Sequence, residues 1–530
     1  MSQELLITDA EIADGTGADP VLKDLLIRDG RIQAVVSPGA IPADTVPVRH
    51  ARGLTLAPGF IDVHSHADAS PLLAGADTTK ILQGVTTEVV GNCGLSLAPL
   101  SVDAEARRST AAMAGFFEEI TWTTHAELFE VLDSAGHVTN QAPLAGYGTL
   151  RTAVMGMADR APTPDELKTM CDQLEEALEA GAFGMSTGLI YPPGGFSDTA
   201  ELIALADRLG TDGLYTTHLR NESDRLDGSI AEAIAIGKRA GCRVHISHLK
   251  SAGRRNWGRM STALDVLALA ADVGVALTKD VYPYTAGSTM LSACLPPSWL
   301  AGGEAATLAR LKSPGASEDL SAALADEHAS WDNFVADCDW EGLLVASTTS
   351  HRYEGSTLAQ LAQRLDTEPV DALLTVLREE ALGATMTAFA MHEDDVTEAL
   401  ASQDTMIGTD GVPASLGGLP HPGLYGTFPR VLGRYVRERA VLPLGEAVRR
   451  MTSLAAKTFR IPERGLIKPG FIADLVAFDA TTVIDTGDYT DPTRSPDGIS
   501  WVMQQGHIVV EDNTFLGTRR GQRLLPARRS

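Results

Sequence analysis

Both ends of the chain carry short segments in which apolar and polar positions alternate. The N-terminal part contains VLKDLLIRDGRIQAVV, and the C-terminal part contains SWVMQQGHIVVEDN. Such alternation, broken by Gly, Asp and Asn, is typical of strands joined by turns. Because RDGRIQAVV and QQGHIVVED are turn–strand units of the same kind, we predict that residues 1–58 and 461–530 together form one β-sandwich.

The central region, residues 59–460, alternates short apolar segments with longer amphipathic ones such as SIAEAIAIGKRA. Repetition of strand and helix implies a parallel sheet with right-handed crossovers. Eight such units in this span predict a (β/α)8 barrel of the TIM type. The strand candidates are LAPGFIDVHSH, GVTTEVVGNCG, APLAGYGTL, GAFGMSTGL, LYTTHLRN, RVHISHLK, VALTKDVYPY and TMIGTDG.

Two further apolar segments do not fit into these units. LLVASTTS and ATMTAFAMH lie between VALTKDVYPY and TMIGTDG. The stretch within about 292–400 therefore contains more than one strand–helix unit. We predict that it is an insertion over the mouth of the barrel.

Composition and charge narrow the range of partners. The 530 residues are 44% hydrophobic and 21% charged, which is typical of a folded protein with more than one domain. The formal net charge of −26 repels phosphate backbones and anionic lipids. We predict a small-molecule substrate and expect neither nucleic acid nor a membrane as partner, while the oligomeric state stays open.

The cysteines and the N-terminal segment bear on the compartment. The chain has five cysteines at wide spacing, so no disulfide framework is implied. MSQELLITDAEIADG lacks the basic and apolar regions of a signal peptide. A reducing compartment fits this pattern, and we expect the cytoplasm.

Residues of the types that bind metals end several of the predicted strands. The carboxyl ends of parallel barrel strands converge on one face, so these side chains would point into one mouth. A lone H-x-H pair or a lone cysteine is weak evidence, but several strands here deliver ligand types at the same end. The candidate ligands are His64, His66, Cys93, His218, His248 and Asp410.

The ligand types fit zinc. Residues i and i+2 of a strand face the same side, so His64 and His66 can reach one ion. Imidazole and thiolate bind zinc well, and a catalytic zinc lowers the pKa of a bound water toward neutrality. Asp410 would then take the proton during attack and hand it to the leaving group, which makes it the catalytic candidate.

Several motifs resemble one enzyme family. PGFIDVHSH resembles the first metal motif of the amidohydrolase superfamily. The resemblance to the N-acyl-D-amino-acid deacylases, or D-aminoacylases, runs from about residue 55 to 475. It is carried by GVTTEVVGNCG, STGLIYPPG, THLRNE, HISHLK, DVYPYTAGST, GTDG and HPGLYGTFPRVLG.

The resemblance implies how the ligands divide. Relatives such as hydantoinases use a carboxylated lysine on strand four, but the segment GAFGMSTGLIY has no lysine. Cys93 matches the cysteine that D-aminoacylases use instead. The family pattern implies a tight zinc site of Cys93, His218 and His248, and a weaker second site formed by His64, His66 and Asp410.

The resemblance also implies a carboxylate-binding group of Lys250, Tyr282 and Ser288, with one departure. Family members commonly read H-P-R-L-W-G after the catalytic aspartate, whereas this chain reads HPGLYG and has Gly423 at the arginine position. Loss of that charge-assisted clamp removes about 1.5–3 kcal/mol of carboxylate binding. His421 and Arg220 are candidate substitutes.

The leading hypothesis is zinc-dependent hydrolysis of N-acyl-D-amino acids or closely related N-acyl compounds. In it, metal-bound hydroxide attacks and Asp410 is the general base and acid. The alternative, favoured by Gly423, is a related amidohydrolase that acts on another amide, a cyclic amide or a carbamate without a free α-carboxylate. A scaffold that only retains the barrel predicts missing ligands, yet all six are present.

Overall fold

The computed structural model describes residues 4–527 except 43, 45, 74, 102–106, 108–119, 327, 329 and 413–416. Helices and strands alternate along most of this chain, so the structure is of the mixed α/β class that the sequence predicts. The described strands fall into four sheets. One sheet joins the two chain ends, two are parallel, and a small one is antiparallel.

The strands are β1 (Glu4–Ile12), β2 (Val21–Arg28), β3 (Arg31–Val36), β4 (Val48–His50), β5 (Thr55–Pro58), β6 (Phe60–Asp62), β7 (Val85–Val90), β8 (Asn140–Pro143), β9 (Ala145–Gly146), β10 (Met185–Gly188), β11 (Leu214–His218), β12 (Arg243–Ile246), β13 (Leu277–Val281), β14 (Gly287–Met290), β15 (Leu343–Ser347), β16 (Thr385–Ala388), β17 (Thr405–Ile407), β18 (Leu475–Phe478), β19 (Ile499–Gln504), β20 (His507–Glu511) and β21 (Thr514–Phe515).

The helices are α1 (His125–Ala135), α2 (Tyr147–Met155), α3 (Pro164–Ala180), α4 (Thr199–Ala206), α5 (Leu226–Ala240), α6 (Met260–Asp272), α7 (Gly303–Leu311), α8 (Ala316–Leu324), α9 (Phe334–Cys338), α10 (Leu358–Leu365), α11 (Pro369–Glu379), α12 (Glu393–Ala401), α13 (Gly423–Arg430), α14 (Leu444–Met451) and α15 (Ser453–Phe459). A π-helical segment, Val431–Glu438, directly follows α13. None of the described helices is long and apolar enough to cross a membrane.

The two chain ends meet in one sheet of nine strands. Its order is β21-β20-β19-β18-β5-β1-β2-β3, with β4 also paired to β1. The junction is the antiparallel pair of β5 and β18, in which Pro58 lies opposite Leu475. Trp501 and Met503 of the C-terminal half pack in one buried cluster with Leu25 of the N-terminal half. The predicted pairing of the ends is therefore built from both backbone and core contacts.

The strands that carry the candidate ligands run parallel to one another. One sheet has the order β6-β7-β8, and the other has the order β17-β13-β12-β11-β10-β9. An isolated parallel bridge between Ser65 and Gly411 links the ends of the two sheets. Beside this bridge, the backbone N–H of Asp410 donates to the carbonyl of His64 at 2.9 Å. The residues that follow β6 and β17 are thus neighbours.

The helices between these strands are specified by local signals. Helix α3 shows the pattern clearly: Thr163 and Glu166 form a reciprocal capping box, and Pro164 occupies the first turn. Gly181 ends the helix with a φ of 114°, which a residue with a side chain rarely adopts. The buried face of α3 includes Met170 and Leu174 at a spacing of one turn.

The two extra apolar segments of the sequence form a separate sheet. LLVASTTS contains β15 and ATMTAFAMH contains β16, and both pair antiparallel in the order β14-β16-β15. Helices α7–α11 all lie between β14 and β16 in the sequence. The five cysteines of the chain are all buried and free, so no disulfide links any of these parts.

Candidate metal centre

The thiol of Cys93 lies among three imidazoles. Its Sγ atom is 3.2 Å from Nε2 of His64, 3.4 Å from Nε2 of His248 and 3.7 Å from Nδ1 of His218. These residues sit at or just after the carboxyl ends of β6, β7, β11 and β12. Parallel strands therefore bring to Cys93 side chains that lie up to 155 positions away from it in the sequence.

Asp410 completes the cluster after β17. Its Oδ1 atom is 3.2 Å from Nε2 of His66 and 3.4 Å from Nε2 of His64. One donor atom each from His64, Cys93, His248 and Asp410 lies within 4.8 Å of all the others. The structure thus places all six predicted ligands in one group.

Three residues of this group have a left-handed backbone. The φ angles are 53° for Cys93, 35° for His248 and 51° for Asp410. Such angles are strained for residues with a side chain, and they concentrate at functional sites where the surroundings hold them. The backbone here turns sharply after each strand, and the turn aims the side chain at the common centre.

Opposite charges in the cluster shift one another's pKa values. Burial by itself raises the pKa of Cys93, but the imidazoles of His64 and His248 hold it well below its usual value. Burial alone lowers the pKa of His66, yet the hydrogen bond to Asp410 raises it to about 9. A thiolate and a carboxylate in a buried place favour an added cation.

Two imidazoles turn one ring nitrogen toward Cys93 and the other toward a carboxylate. Nε2 of His64 faces the thiol, and its Nδ1 lies 3.6 Å from Asp280. Nδ1 of His218 faces the thiol, and its Nε2 lies 3.1 Å from Glu222. One nitrogen of each ring can therefore reach an ion, while the carboxylate on the other side fixes the ring. The nitrogen, sulfur and oxygen donors present are those that zinc prefers, so the residues fit a zinc centre.

Asp280, near the end of β13, contacts three histidine residues of the cluster and its surroundings. Its Oδ2 atom is 2.7 Å from Nε2 of His245, and its Oδ1 atom accepts the backbone N–H of His248 at 2.9 Å. It also lies 3.6 Å from Nδ1 of His64. The sequence analysis did not single out Asp280, although its place at the strand end in DVYPY was a usable signal. Such outer partners orient ligands and tune their basicity.

Glu222 is a second residue that the sequence analysis missed. Its carboxylate lies 3.1 Å from Nε2 of His218 and 3.0 Å from Nδ1 of His248. It also accepts a hydrogen bond of 2.7 Å from Nζ of Lys250. Burial opposes its ionisation, but His218, Lys250 and His248 hold the pKa of Glu222 well below its usual value. Its position four residues after His218, within THLRNE, was the available signal.

A buried ion-pair network fixes the loop that carries the two N-terminal histidines. Nζ of Lys80 donates to Oγ of Ser65 at 2.9 Å and to Glu88 at 3.0 Å. Asp62 lies 3.2 Å from the same ammonium group and accepts the backbone N–H of Thr409 at 2.9 Å. This network ties the end of β6 to the end of β17, so His64 and Asp410 keep their relative position.

A cavity of about 460 Å³ opens over the cluster. Its wall includes His66, Cys93, His248 and Asp410, together with Ser288 of β14. A cavity of this size holds a small organic substrate. The candidate ligands therefore face a space in which a substrate can reach them.

The predicted substrate residues lie at the side of this cavity. Ser288 lines it, whereas Lys250 and Tyr282 line a small neighbouring cleft that shares His248. Nζ of Lys250 lies 5.5 Å from the ring centre of Tyr282. A Cβ atom on Gly287 would stand 2.8 Å from the hydroxyl of Tyr282, so the glycine allows this ring to approach the backbone next to Ser288.

The comparisons with known proteins agree with this geometry. A model of the amidohydrolase family matches residues 48–417 and 405–510. The chain belongs to the amidohydrolase family. The D-aminoacylase resemblance seen in the motifs is confirmed as well, because three characterised relatives of that group align over nearly the whole chain.

This amidohydrolase is about equally similar to three proteins of Alcaligenes xylosoxydans xylosoxydans. It is 36% identical to an N-acyl-D-aspartate deacylase over 99% of the chain and 95% of the relative. It is 34% identical to an N-acyl-D-glutamate deacylase over 96% and 93%, respectively. For a D-aminoacylase the identity is 35% over 98% and 97%.

Solved structures of the same group share the fold. A Bordetella bronchiseptica N-acyl-D-glutamate deacylase, in complex with zinc and a phosphonate mimic of the tetrahedral intermediate, is 36% identical with a TM-score of 0.82. The match covers 98% of this chain and 99% of that one. A D-aminoacylase structure described as having a binuclear metal centre is 34% identical, with a TM-score of 0.82 and the same coverage.

The position of the missing arginine is closed in this amidohydrolase. A Cβ atom on Gly423 would stand 2.8 Å from Nδ1 of His421 and 3.1 Å from both Thr427 and Tyr284. Even the first atom of an arginine side chain would need its neighbours to shift. The glycine is thus part of a local packing arrangement, and no cation occupies this position.

Neither suggested substitute is free to act as a clamp. Nε2 of His421 lies 3.0 Å from the carbonyl of Ala286, and its Nδ1 accepts the backbone N–H of Gly423 at 3.0 Å. The guanidinium of Arg220 donates twice to Glu232. Both side chains are therefore already engaged within the protein.

The pH dependence of the free energy of unfolding should show that His421 is uncharged in the folded protein. Burial lowers the pKa of this imidazole to about 4, below the value near 6.5 of an unfolded chain. The unfolded state therefore binds a proton that the native state refuses as pH falls from about 6.5 to 4. Between pH 7.5 and 5, we expect the free energy of unfolding of His421→Gln to fall by about 2 kcal/mol less than that of the unmodified protein. Urea unfolding of both proteins at pH 7.5 and 5 tests this, and parallel slopes would contradict it.

One segment of the chain has the spacing of a serine hydrolase motif. Residues 184–188 read GMSTG, which matches G-x-S-x-G. Ser186, however, lies within β10, is fully buried, and donates to the carbonyl of Gly91 while accepting the backbone N–H of Gly94. The nucleophile of that motif needs an exposed strand-to-helix turn, so Ser186 has a structural role here.

Proposed function

We propose that this chain is a zinc-dependent hydrolase that removes the acyl group from N-acyl-D-amino acids or closely related N-acyl compounds. The observation that carries the proposal is the group formed by Cys93, His218 and His248 beside Asp410. Cys93, His248 and Asp410 of this group line the cavity. The relatives named as N-acyl-D-amino-acid deacylases support the reaction class.

The proposal includes a domain organisation. Strands β6, β7, β8 with β9, β10, β11, β12, β13 and β17 would form a (β/α)8 barrel within residues 59–460. The parallel pairings and the bridge between Ser65 and Gly411 support closure of this barrel. The nine-stranded sheet of residues 1–58 and 461–530 would be the β-sandwich, and the segment within about 292–400 the insertion.

Two metal positions are proposed. Cys93, His218 and His248 would hold a tight zinc, and His64, His66 and Asp410 a weaker second ion. When bound, zinc acts as a Lewis acid that activates water and polarises the carbonyl of the substrate. Glu222 and Asp280 would orient the imidazoles through the contacts described above.

Asp410 would move the proton. Burial raises its pKa by itself, but His248, His64 and His66 hold that pKa well below its usual value, so the carboxylate is ionised. It can therefore accept a proton from the attacking water and pass it to the leaving nitrogen. His66, which lies 3.2 Å from Asp410, fixes the direction in which the carboxylate points.

Lys250, Tyr282 and Ser288 would bind the α-carboxylate of the substrate. The pKa of Tyr282 is raised well above its usual value by burial and by Asp410 and Glu222, so its hydroxyl keeps its proton and can donate. Lys250 supplies the positive charge that an acidic protein needs locally. Its existing bond to Glu222 holds the ammonium group beside His248.

Replacing Lys250 with Met should raise KM more than it lowers kcat. A charge-assisted hydrogen bond contributes about 1.5–3 kcal/mol, so we expect KM for N-acetyl-D-leucine to rise about 10- to 100-fold. Steady-state kinetics of the zinc-loaded protein measure this change. Lys238→Met, at an exposed position on α5, is the matched control and should leave KM unchanged. An unaltered KM in Lys250→Met would remove Lys250 from the carboxylate site.

The second candidate function is hydrolysis of another amide, a cyclic amide or a carbamate that lacks a free α-carboxylate. Gly423 and its closed surroundings are the observations that favour it. Steady-state assays of N-acetyl-D-leucine, its L-enantiomer, its amide and a five-membered cyclic diamide separate the two functions. Preference for the D-acid supports the first, and preference for the amide or the cyclic substrate supports the second.

A further inference from the structure

The cavity above the metal-type cluster carries ionisable side chains of one sign. Besides Asp410, its described lining includes the carboxyl groups of Asp68, Glu304, Asp332 and Glu380. Among the lining residues that the structure describes there is no lysine and no arginine. The imidazoles of the lining belong either to the metal-type cluster or to His421, whose two nitrogens are engaged.

Much of the remaining wall is apolar, and many of its side chains come from one stretch of the chain. The side chains involved are placed by the stretch between β13 and β17, which also contains β14–β16 and helices α7–α11. They include Met290, Leu295, Leu300, Phe334 and Leu382. A wall of this kind binds by burying apolar substrate surface.

The side chains of Lys250, Arg220 and Arg430 are bound elsewhere and do not belong to the described lining of this cavity. Lys250 lies in the neighbouring cleft and donates to Glu222. Arg430 donates to Asp485 at 2.8 Å, and Arg220 is held by Glu232. Gly423 offers no side chain, and its surroundings are closed. A second negative charge on a substrate would therefore lose its hydration without gaining a counter-charge.

We infer that this enzyme binds N-acyl-D-amino acids with an uncharged, apolar side chain and rejects those with an acidic side chain. The inference rests on the proposed function and names its substrate class. Similarity alone does not decide this point, because relatives named for aspartate, for glutamate and for D-amino acids in general are 34–36% identical. The lack of a lysine or arginine among the described lining residues decides it.

An isosteric pair of substrates isolates the charge. The zinc-loaded protein is assayed with N-acetyl-D-glutamine, N-acetyl-D-glutamate and N-acetyl-D-leucine. We expect kcat/KM for the glutamine compound to exceed that for the glutamate compound by about 100-fold, because the two differ in charge and hardly in shape. The leucine compound should be the best of the three, since it gains the apolar contacts.

A charge reversal tests whether the cavity wall is the cause. Glu304 and Glu318 are both exposed glutamates in the first turn of a nine-residue helix, but only Glu304 lines the cavity. Glu304→Lys should lower the glutamine-to-glutamate ratio about tenfold, whereas Glu318→Lys, with the same change in net charge, should leave it unaltered. Equal effects of the two variants would overturn the cavity wall as the source of the rejection.

The outcomes separate this inference from the proposed function. Turnover of N-acetyl-D-glutamate as fast as that of N-acetyl-D-glutamine overturns the inference and leaves the deacylase function standing. Failure of the zinc-loaded protein to hydrolyse any of the three compounds overturns the proposed function and the inference with it. The predicted order, with leucine first and glutamate last, supports both.

Discussion

Replacing Asp410 with Asn is expected to lower kcat about 1000-fold, while zinc bound at the proposed site of Cys93, His218 and His248 and the free energy of unfolding stay nearly unchanged. A positioned general base or acid contributes about 10²- to 10⁴-fold to a rate, and an amide can neither accept the proton nor return it. Asn tolerates the left-handed backbone of this position, where φ is 51°, so the fold is preserved. Steady-state kinetics, metal analysis and urea unfolding measure the three quantities.

Asp404 provides a matched control for this variant. It precedes the same strand, β17, has a φ of 55°, and pairs with Arg449 away from the cluster. Asp404→Asn should therefore retain full kcat. An Asp410→Asn enzyme with near-normal kcat, or an equal loss in both variants, would exclude Asp410 as the group that moves the proton.

Replacing Cys93 with Ser is expected to weaken zinc binding at the tight site by at least about 100-fold, because loss of a mere outer partner of a ligand already costs about 10- to 100-fold. Serine keeps the size of the side chain but is a poor zinc donor at neutral pH. Turnover should fall in parallel and recover in part with excess zinc. Competition with a chromogenic chelator measures the affinity directly.

The control for this variant is Cys171→Ser. Cys171 is as buried as Cys93, but it lies on α3 and its thiol donates to the carbonyl of Ala204. Zinc affinity and turnover should both survive this change. A Cys93→Ser protein that binds zinc as tightly as the Cys171→Ser protein would refute the assignment of Cys93 as a ligand.

The candidate ligands could be found from the sequence because their signals are local. His64 and His66 stand two positions apart after an apolar segment. Cys93 and His248 follow the ends of β7 and β12 by three and two positions. Parallel strands that all end on one side bring such residues together whatever their distance in sequence. The family could be predicted for the same reason, since each motif is a short continuous segment.

Asp280 and Glu222, which contact the candidate ligands, could not be identified from the sequence in this way. Asp280 contacts His245 and His64, which lie 35 and 216 positions away along the chain, and nothing local distinguishes it from other buried aspartates. Glu222 reaches His218 within its own segment but His248 and Lys250 only through the pairing of β11 with β12. Such contacts depend on strand register, which is a property of the folded sheet.

By itself the sequence determined the alternation of strands and helices, the donors at the strand ends and the loss of the arginine at Gly423. It did so because side-chain periodicity, turn residues and motif spacing are all encoded over a few neighbouring positions. The tertiary structure alone decided that the space beside Gly423 is closed and that the described part of the cavity wall carries carboxyl groups without a lysine or arginine. Those properties arise where the stretch between β13 and β17 meets the strand ends, and the charge of a surface assembled from distant segments exists only after folding.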